Sequence, residues 1–128
     1  MIERRAGRIA LVASLAGYRG LPTSAAYGMT KAGLINMAEA LKPELERVGI
    51  QLQIVNPGFV RTPLTDRNPF PMPFLMEPED AAAAFYRGLQ SDRFEIVFPR
   101  RFAAILKVLR CLPASLAFAV TRRLVPEP

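Results

Sequence analysis

Three polar side chains near the start of the chain have the types and spacing for proton chemistry: Ser14, Tyr27 and Lys31. Tyr27 and Lys31 are four residues apart, which on a helix places them on one face, a turn from each other. An ammonium beside a phenol favours the phenolate and draws its pKa down from about 10, so a phenol in that setting can serve as a general acid or base. A hydroxyl such as that of Ser14 can hold or polarise an oxygen of the reacting group. Tyr-x-x-x-Lys alone is a weak signal, because a helix-surface tyrosine and a solvated lysine are the ordinary fates of both residues. The surrounding elements give it weight.

Arg8–Ala13 is a continuous apolar run ending just before Ser14, the pattern of a strand buried on both faces of a parallel sheet. Leu15–Ser24 follows as a small-residue loop with Pro22 and the capping candidates Thr23 and Ser24. A helix is predicted from about Ala25 to Val48, its core face formed by Leu34, Met37, Ala38, Leu41 and Leu45, with a kink or weak spot at Pro43 and a stop at Gly49. Ile50–Val55 is the second strand and Asn56–Thr62 its exit loop. The segment Pro63–Met76 carries Pro63, Pro69, Pro71 and Pro73, which prevent a regular helix throughout. Glu77-Pro78-Glu79-Asp80 opens a helix reaching about Gln90, and Phe94–Phe98 is the third strand. Alternating apolar strands and helices indicate an α/β parallel sheet. Residues 100–125 read as two amphipathic helices broken at Leu112-Pro113. Phe102, Ile105, Leu106, Leu109 and Leu112 share one face, and Arg101, Lys107 and Arg110 lie mostly elsewhere.

This arrangement resembles the short-chain dehydrogenase/reductase family, in which a Ser precedes the Tyr of Tyr-x-x-x-Lys by thirteen residues, as Ser14 precedes Tyr27 here. Ile54–Thr62 resembles the same family's strand followed by a Pro-Gly-x-x-x-Thr cofactor loop. The resemblance covers about residues 1–98. It implies a doubly wound Rossmann-type sheet and an NAD- or NADP-dependent oxidoreductase moving hydride between nicotinamide and a carbonyl or alcohol carbon. Tyr27 would move the proton, Lys31 would hold the nicotinamide ribose, and Ser14 would bind the substrate oxygen. Pro57, Gly58, Val60 and Thr62 would line the nicotinamide end of the cofactor. Pro63–Met76 would be a substrate lid whose Phe70, Met72, Phe74, Leu75 and Met76 suit a small apolar substrate; a packed loop is the competing reading.

The family's glycine-rich phosphate turn, ribose-binding acid, Asn-Ala-Gly stretch and helix-borne Asn have no counterpart in these 128 residues. The resemblance therefore implies the C-terminal half of such a protein, present as a truncated chain. Two regions are expected: residues 1–98, from the Rossmann-type domain, and a basic tail, 99–128. These residues by themselves are expected to bind no dinucleotide and to leave the first strand with a bare apolar edge. The alternative is a non-enzymatic remnant acting as an oligomerising or membrane-associating module.

Composition sets the outer limits. At 51% apolar and 22% charged residues, a buried core is expected. With no histidine, Ser-His-Asp and Cys-His catalysis and histidine-built metal sites are excluded, and no metal site is expected. The single cysteine, Cys111, reads as a core residue and fits a reducing, cytoplasmic setting. Residues 1–98 hold 11 basic and 10 acidic side chains, so the net charge of +6 belongs mainly to the tail and no nucleic-acid partner is expected. The tail has two readings: a helix pair contacting anionic lipid through 100–125, or a cap on the substrate loop or a neighbouring subunit. Homo-oligomerisation is expected from the family resemblance.

Overall fold

The computed structural model describes residues 1–68 and 70–125; Pro69 and 126–128, which close the tail, lie outside the described residues. Three strands form a parallel sheet: β1 (Gly7–Val12), β2 (Ile50–Pro57) and β3 (Glu95–Phe98), in the order β1-β2-β3. Gly7 registers with Ile50 and Val12 with Val55, while Ile54 registers with Glu95 and Pro57 with Phe98. Parallel neighbours need a crossover, and helix α1 (Ala25–Arg47) and helix α2 (Pro78–Leu89) supply the two. Helices α3 (Arg100–Cys111) and α4 (Ala114–Thr121) follow β3.

Strand β2 is the centre, and its side chains alternate between two cores. Leu52 and Ile54 face α1 and α3, in a cluster with Leu15, Tyr18, Ile35, Ala38, Leu106 and Leu109. Val55 faces the other way, with Ala81, Ile96 and Phe98 beneath α2. Burying a side chain such as Leu52 or Ile54, each 1% exposed, contributes about 1.5–3 kcal/mol. Gln53, also fully buried, donates through Nε2 to the carbonyls of Gly88 (3.2 Å), Ser91 (3.0 Å) and Arg93 (2.9 Å). That side chain fixes the turn leading from α2 into β3.

Several expectations are corrected. β1 is covered on one face only: Ile9 and Leu11 pack into the α1–α3 core, whereas Arg8, Ala10 and Val12 are exposed because α2 lies over β2 and β3. The inner face of α1 is carried by Ile35 and Ala38, with Leu34, Leu41 and Leu45 partly buried, and Met37 points outward. Helix α1 runs unbroken through Pro43. Pro43 lacks the N–H that would reach the Glu39 carbonyl, and the helix continues for a further turn beyond it. Ile105 is turned away from the core face that Leu106 and Leu109 occupy, and Cys111 is exposed. Gly49 ends α1 as predicted, at φ +75°, and a Cβ there would lie 2.2 Å from the Arg5 carbonyl oxygen, so no other residue fits.

Candidate active site

Ser14 and Lys31 are both bonded near the C-terminal end of β1, and the Tyr27 ring lies beside the Lys31 ammonium. The strand's pairing extends one residue past Val12, where the Ala13 N–H donates to the Val55 carbonyl at 2.8 Å. Ser14 then turns the chain: its Oγ accepts from the Ala16 N–H at 3.2 Å, capping a single 3-10 turn at Leu15–Gly17. The same hydroxyl donates to the Pro57 carbonyl at 3.4 Å, so Ser14 ties the turn after β1 to the end of β2. Ser14 is 9% exposed.

Helix α1 carries the other two residues. Lys31 Nζ donates to the Val12 carbonyl at 3.2 Å and lies 5.5 Å from the centre of the Tyr27 ring. One turn of helix separates the pair, and Tyr27, 52% exposed, presents its phenol outward. Lys31 and the buried Ser14 hydroxyl thus stand where two parallel strands end, the position at which open α/β sheets bind ligands, with the Tyr27 ring beside the ammonium.

The exit loop of β2 is held from several sides. The Gly58 N–H donates to the Phe98 carbonyl at 2.7 Å, and Val60 bridges in parallel to Met76. Thr62 is bonded to Thr65, whose Oγ1 donates to the Val60 carbonyl at 2.8 Å and lies 3.1 Å from Thr62 Oγ1. Thr65 was not singled out by sequence reasoning; its spacing of three from Thr62, which suits a local side-chain turn, was the available signal. Arg61 pairs with Glu77 at 2.9 Å, tying the loop to the start of α2. Beyond Pro63, the aromatics close over α3: Phe59 and Phe74 each stack on Phe102, at 5.8 and 5.7 Å between ring centres, and Phe70 lies 6.1 Å from Phe59.

A second polar centre lies under these loops and was missed from sequence. The Glu95 carboxylate, on β3, accepts from the Tyr18 hydroxyl, from Asn56 Nδ2 at 2.9 Å, and from the Lys107 ammonium of α3. Tyr18 follows the Ser14 turn, and Asn56 immediately precedes Pro57. Glu95 therefore fastens both candidate loops to α3. Burial alone pushes the Glu95 carboxyl up, but hydrogen bonds from Lys107, Tyr18 and Asn56 outweigh it and hold the carboxyl below the ordinary value. The Tyr18 phenol moves strongly upward, first through burial and then through its bond to Glu95. The sequence signal was a single acid inside the otherwise apolar strand Phe94–Phe98.

These shifts have opposite consequences at the two ends of the pH range. The lowered Glu95 pKa adds stability that is complete above the unfolded carboxylate value, about 4.3, and is lost as pH falls through the folded value. The raised Tyr18 pKa adds stability that is complete below about 10 and is lost as pH rises further. Glu95→Gln is expected to cost about 1–3 kcal/mol at neutral pH, because its amide nitrogen faces donors in place of a second acceptor oxygen. The cost should shrink toward pH 3 or so, where the wild-type carboxyl is itself protonated. Urea unfolding of both proteins across that range measures it; a pH-independent difference contradicts the arrangement.

Residues 1–70 match the family model for short chain dehydrogenase. An uncharacterized oxidoreductase of Myxococcus xanthus is 41% identical over 124 residues, covering 97% of this chain and 49% of that protein. Ketoacyl reductase HetN of a Nostoc species is 34% identical over 101 residues, covering 76% of this chain and 35% of that protein. A short chain dehydrogenase from Burkholderia cenocepacia, solved with NADP, superposes with a TM-score of 0.77 at 23% identity, covering 98% of this chain and 50% of that one. The chain spans about half the length of these relatives or less.

Proposed function

The chain belongs to the short-chain dehydrogenase family, and on that premise we propose that its residues build the hydride-transfer end of an NAD(P)-dependent oxidoreductase acting on a carbonyl or an alcohol. The observation that carries the reading is the meeting of Lys31 with both the Val12 carbonyl and the Tyr27 ring beside the Ser14–Pro57 bond. Relatives named oxidoreductase and ketoacyl reductase, and structural neighbours solved with NADP or NADPH, support it.

The residues present fit one end of such a cofactor. Lys31 has ammonium hydrogens to spare for ribose hydroxyls, and Pro57, Gly58, Val60 and Thr62 form a braced loop beside it. They do not fit the pyrophosphate end. The turn after β1 is a strand exit with a glycine, but Gly17 is closed by α1: a Cβ there would already touch the Lys31 and Ala32 backbone. The phosphate cradle is proposed to come from residues outside these 128.

When bound, the cofactor supplies or accepts the hydride. Tyr27 gives its phenolic proton to the carbonyl oxygen in reduction, or takes the alcohol proton in oxidation. The Ser14 hydroxyl, turning its one hydrogen away from the Pro57 carbonyl, donates a hydrogen bond to that same oxygen and stabilises the charge developing there. The Lys31 ammonium stabilises the Tyr27 phenolate left after proton donation. Phe70 and Phe74, packed with Phe59 and Phe102, make the neighbouring loop apolar, which favours a small apolar substrate.

The test is a spectrophotometric assay of the native polypeptide with NADH and NADPH against a series of apolar ketones. Oxidation of either cofactor that depends on the ketone is expected; its absence across the series overturns the reading. Residues 1–128 alone, titrated with NADPH, are expected to show no micromolar binding, because the pyrophosphate has no cradle among them. Micromolar binding would contradict that division of the site.

A further inference from the structure

A hydroxyl has one hydrogen to give. Ser14 gives it to the Pro57 carbonyl, and that bond links the turn Ser14–Tyr18 to the exit of β2. The proposed chemistry needs the same hydrogen for the substrate oxygen. When Ser14 turns it there, the link to Pro57 is lost just when the hydroxyl has to be held in place. A displacement of about 1 Å can cost a reaction about 10²-fold in rate. A second link between the same two segments would keep the hydroxyl in position.

Such a link is present. The Tyr18 hydroxyl and Asn56 Nδ2 donate to the same oxygen of the Glu95 carboxylate. Tyr18 is 6% exposed and Asn56 is fully buried, so water competes little for these bonds. Tyr18 closes the turn that Ser14 opens: Ser14 Oγ accepts from the Ala16 N–H, and the Tyr18 N–H donates to the Leu15 carbonyl at 3.1 Å. Asn56 directly precedes Pro57. The Tyr18–Glu95–Asn56 link therefore joins the segments that the Ser14–Pro57 bond joins, and no other polar link between them occurs among the described residues. The other Glu95 oxygen accepts from the Lys107 ammonium, which holds the carboxylate to α3. Burial and the bond to Glu95 push the Tyr18 phenol upward from its ordinary value, so it keeps its proton and takes no part in the transfer assigned to Tyr27.

We propose that Tyr18 is a positioning residue of the hydride-transfer site: through Glu95 and Asn56 it holds the Ser14 turn against the exit of β2 while the Ser14 hydroxyl leaves the Pro57 carbonyl for the substrate oxygen. The inference rests on the role given to Ser14 above. The hydroxyl of Tyr18 can be removed separately from its ring. In Tyr18→Phe the ring stays packed in the cluster of Leu15 and Ile35, and Glu95 keeps its bonds from Asn56 and Lys107.

A double-mutant cycle with Ser14 in the native polypeptide tests it. Tyr18→Phe is expected to lower kcat for ketone reduction about tenfold and to leave KM for the cofactor within about twofold. Ser14→Ala is expected to lower kcat by about 10²–10³-fold. The double variant should match Ser14→Ala within about twofold, because a hydroxyl that is gone no longer needs holding. Ile96→Val, a core change on the opposite face of β3, controls for lost stability alone and should keep kcat within about twofold. If Tyr18→Phe does not fold, Asn56→Ser breaks the link at its other end and takes its place in the cycle. Unchanged kcat in the folded variant overturns the proposal. So does a double variant whose loss is the product of the two single losses, the result that a merely structural tyrosine gives. Thermal unfolding without substrate reads the link itself: Tyr18→Phe should melt a few degrees below the parent. If the parent reduces no ketone, the hydride-transfer reading fails and the positioning role falls with it, whatever the melting temperatures. If the parent turns over and the losses multiply, only the positioning role fails.

Discussion

Tyr27→Phe in the native polypeptide is expected to lower turnover by about 10²–10⁴-fold while cofactor affinity stays within a few-fold of the parent. The change removes one oxygen from a side chain that is 52% exposed and makes no hydrogen bond through its hydroxyl among the described residues. Folding should therefore be indifferent to it, within about 0.5 kcal/mol. The ring remains, so the Lys31 ammonium keeps its aromatic neighbour and its bond to the Val12 carbonyl. Only the proton transfer is lost. A tyrosine that merely decorated the helix surface would give a variant with unchanged kcat, and that result would remove the chemical role assigned to the whole cluster. Equal losses in kcat and kcat/KM are the signature of an interaction made in the transition state.

The elements were legible because their boundaries are written in local chemistry. Gly49 has no alternative at positive φ, Pro78 and its neighbouring acids announce a helix start, and apolar runs bounded by such signals became strands within a residue or two. The Ser14–Tyr27–Lys31 spacing was readable for the same reason: a helix turn fixes the second interval, and a strand-loop-helix unit fixes the first. What was not legible depends on layers. An apolar run such as Arg8–Ala13 does not say whether one face or two is covered; that depended on α2 lying over β2 and β3. Whether Met37 or Ile35 faces inward is a rotation of about 200° on the helix, or two residues, and both choices keep a tolerable apolar stripe. Ile105 was assigned inward from the face it shares with Leu106 and Leu109, and Cys111 from its residue type, and neither signal decides burial for a single residue at the edge of an amphipathic helix. The Glu95 centre includes a bond across 77 positions, from Tyr18 to Glu95, and no local pattern encodes such a meeting.

Gly17→Ala is expected to destabilise the fold by about 3 kcal/mol, the upper end for forcing extra volume into packed structure. A Cβ at this position would lie 2.8 Å from Ile35 Cδ1, 2.8 Å from the Lys31 carbonyl carbon and 2.9 Å from the Ala32 nitrogen. The isoleucine methyl can rotate aside, but the helix backbone cannot, so the Leu15–Gly17 turn and α1 must separate. Gly17 lies three residues after Ser14, and the backbone it touches is that of Lys31. The same displacement must therefore pull the serine hydroxyl away from the lysine and its tyrosine. Turnover in the native polypeptide should fall even under conditions where the variant is fully folded, and ligand-free stability should fall in parallel. Gly20→Ala is the control: a Cβ there has nothing within 4 Å, and a change within about 0.5 kcal/mol is expected. Thermal unfolding of the two variants beside the parent decides the matter. If Gly17→Ala melts with the control, the turn does not rest on the helix, and the close approach of the Ser14 turn to the Lys31 backbone has another cause.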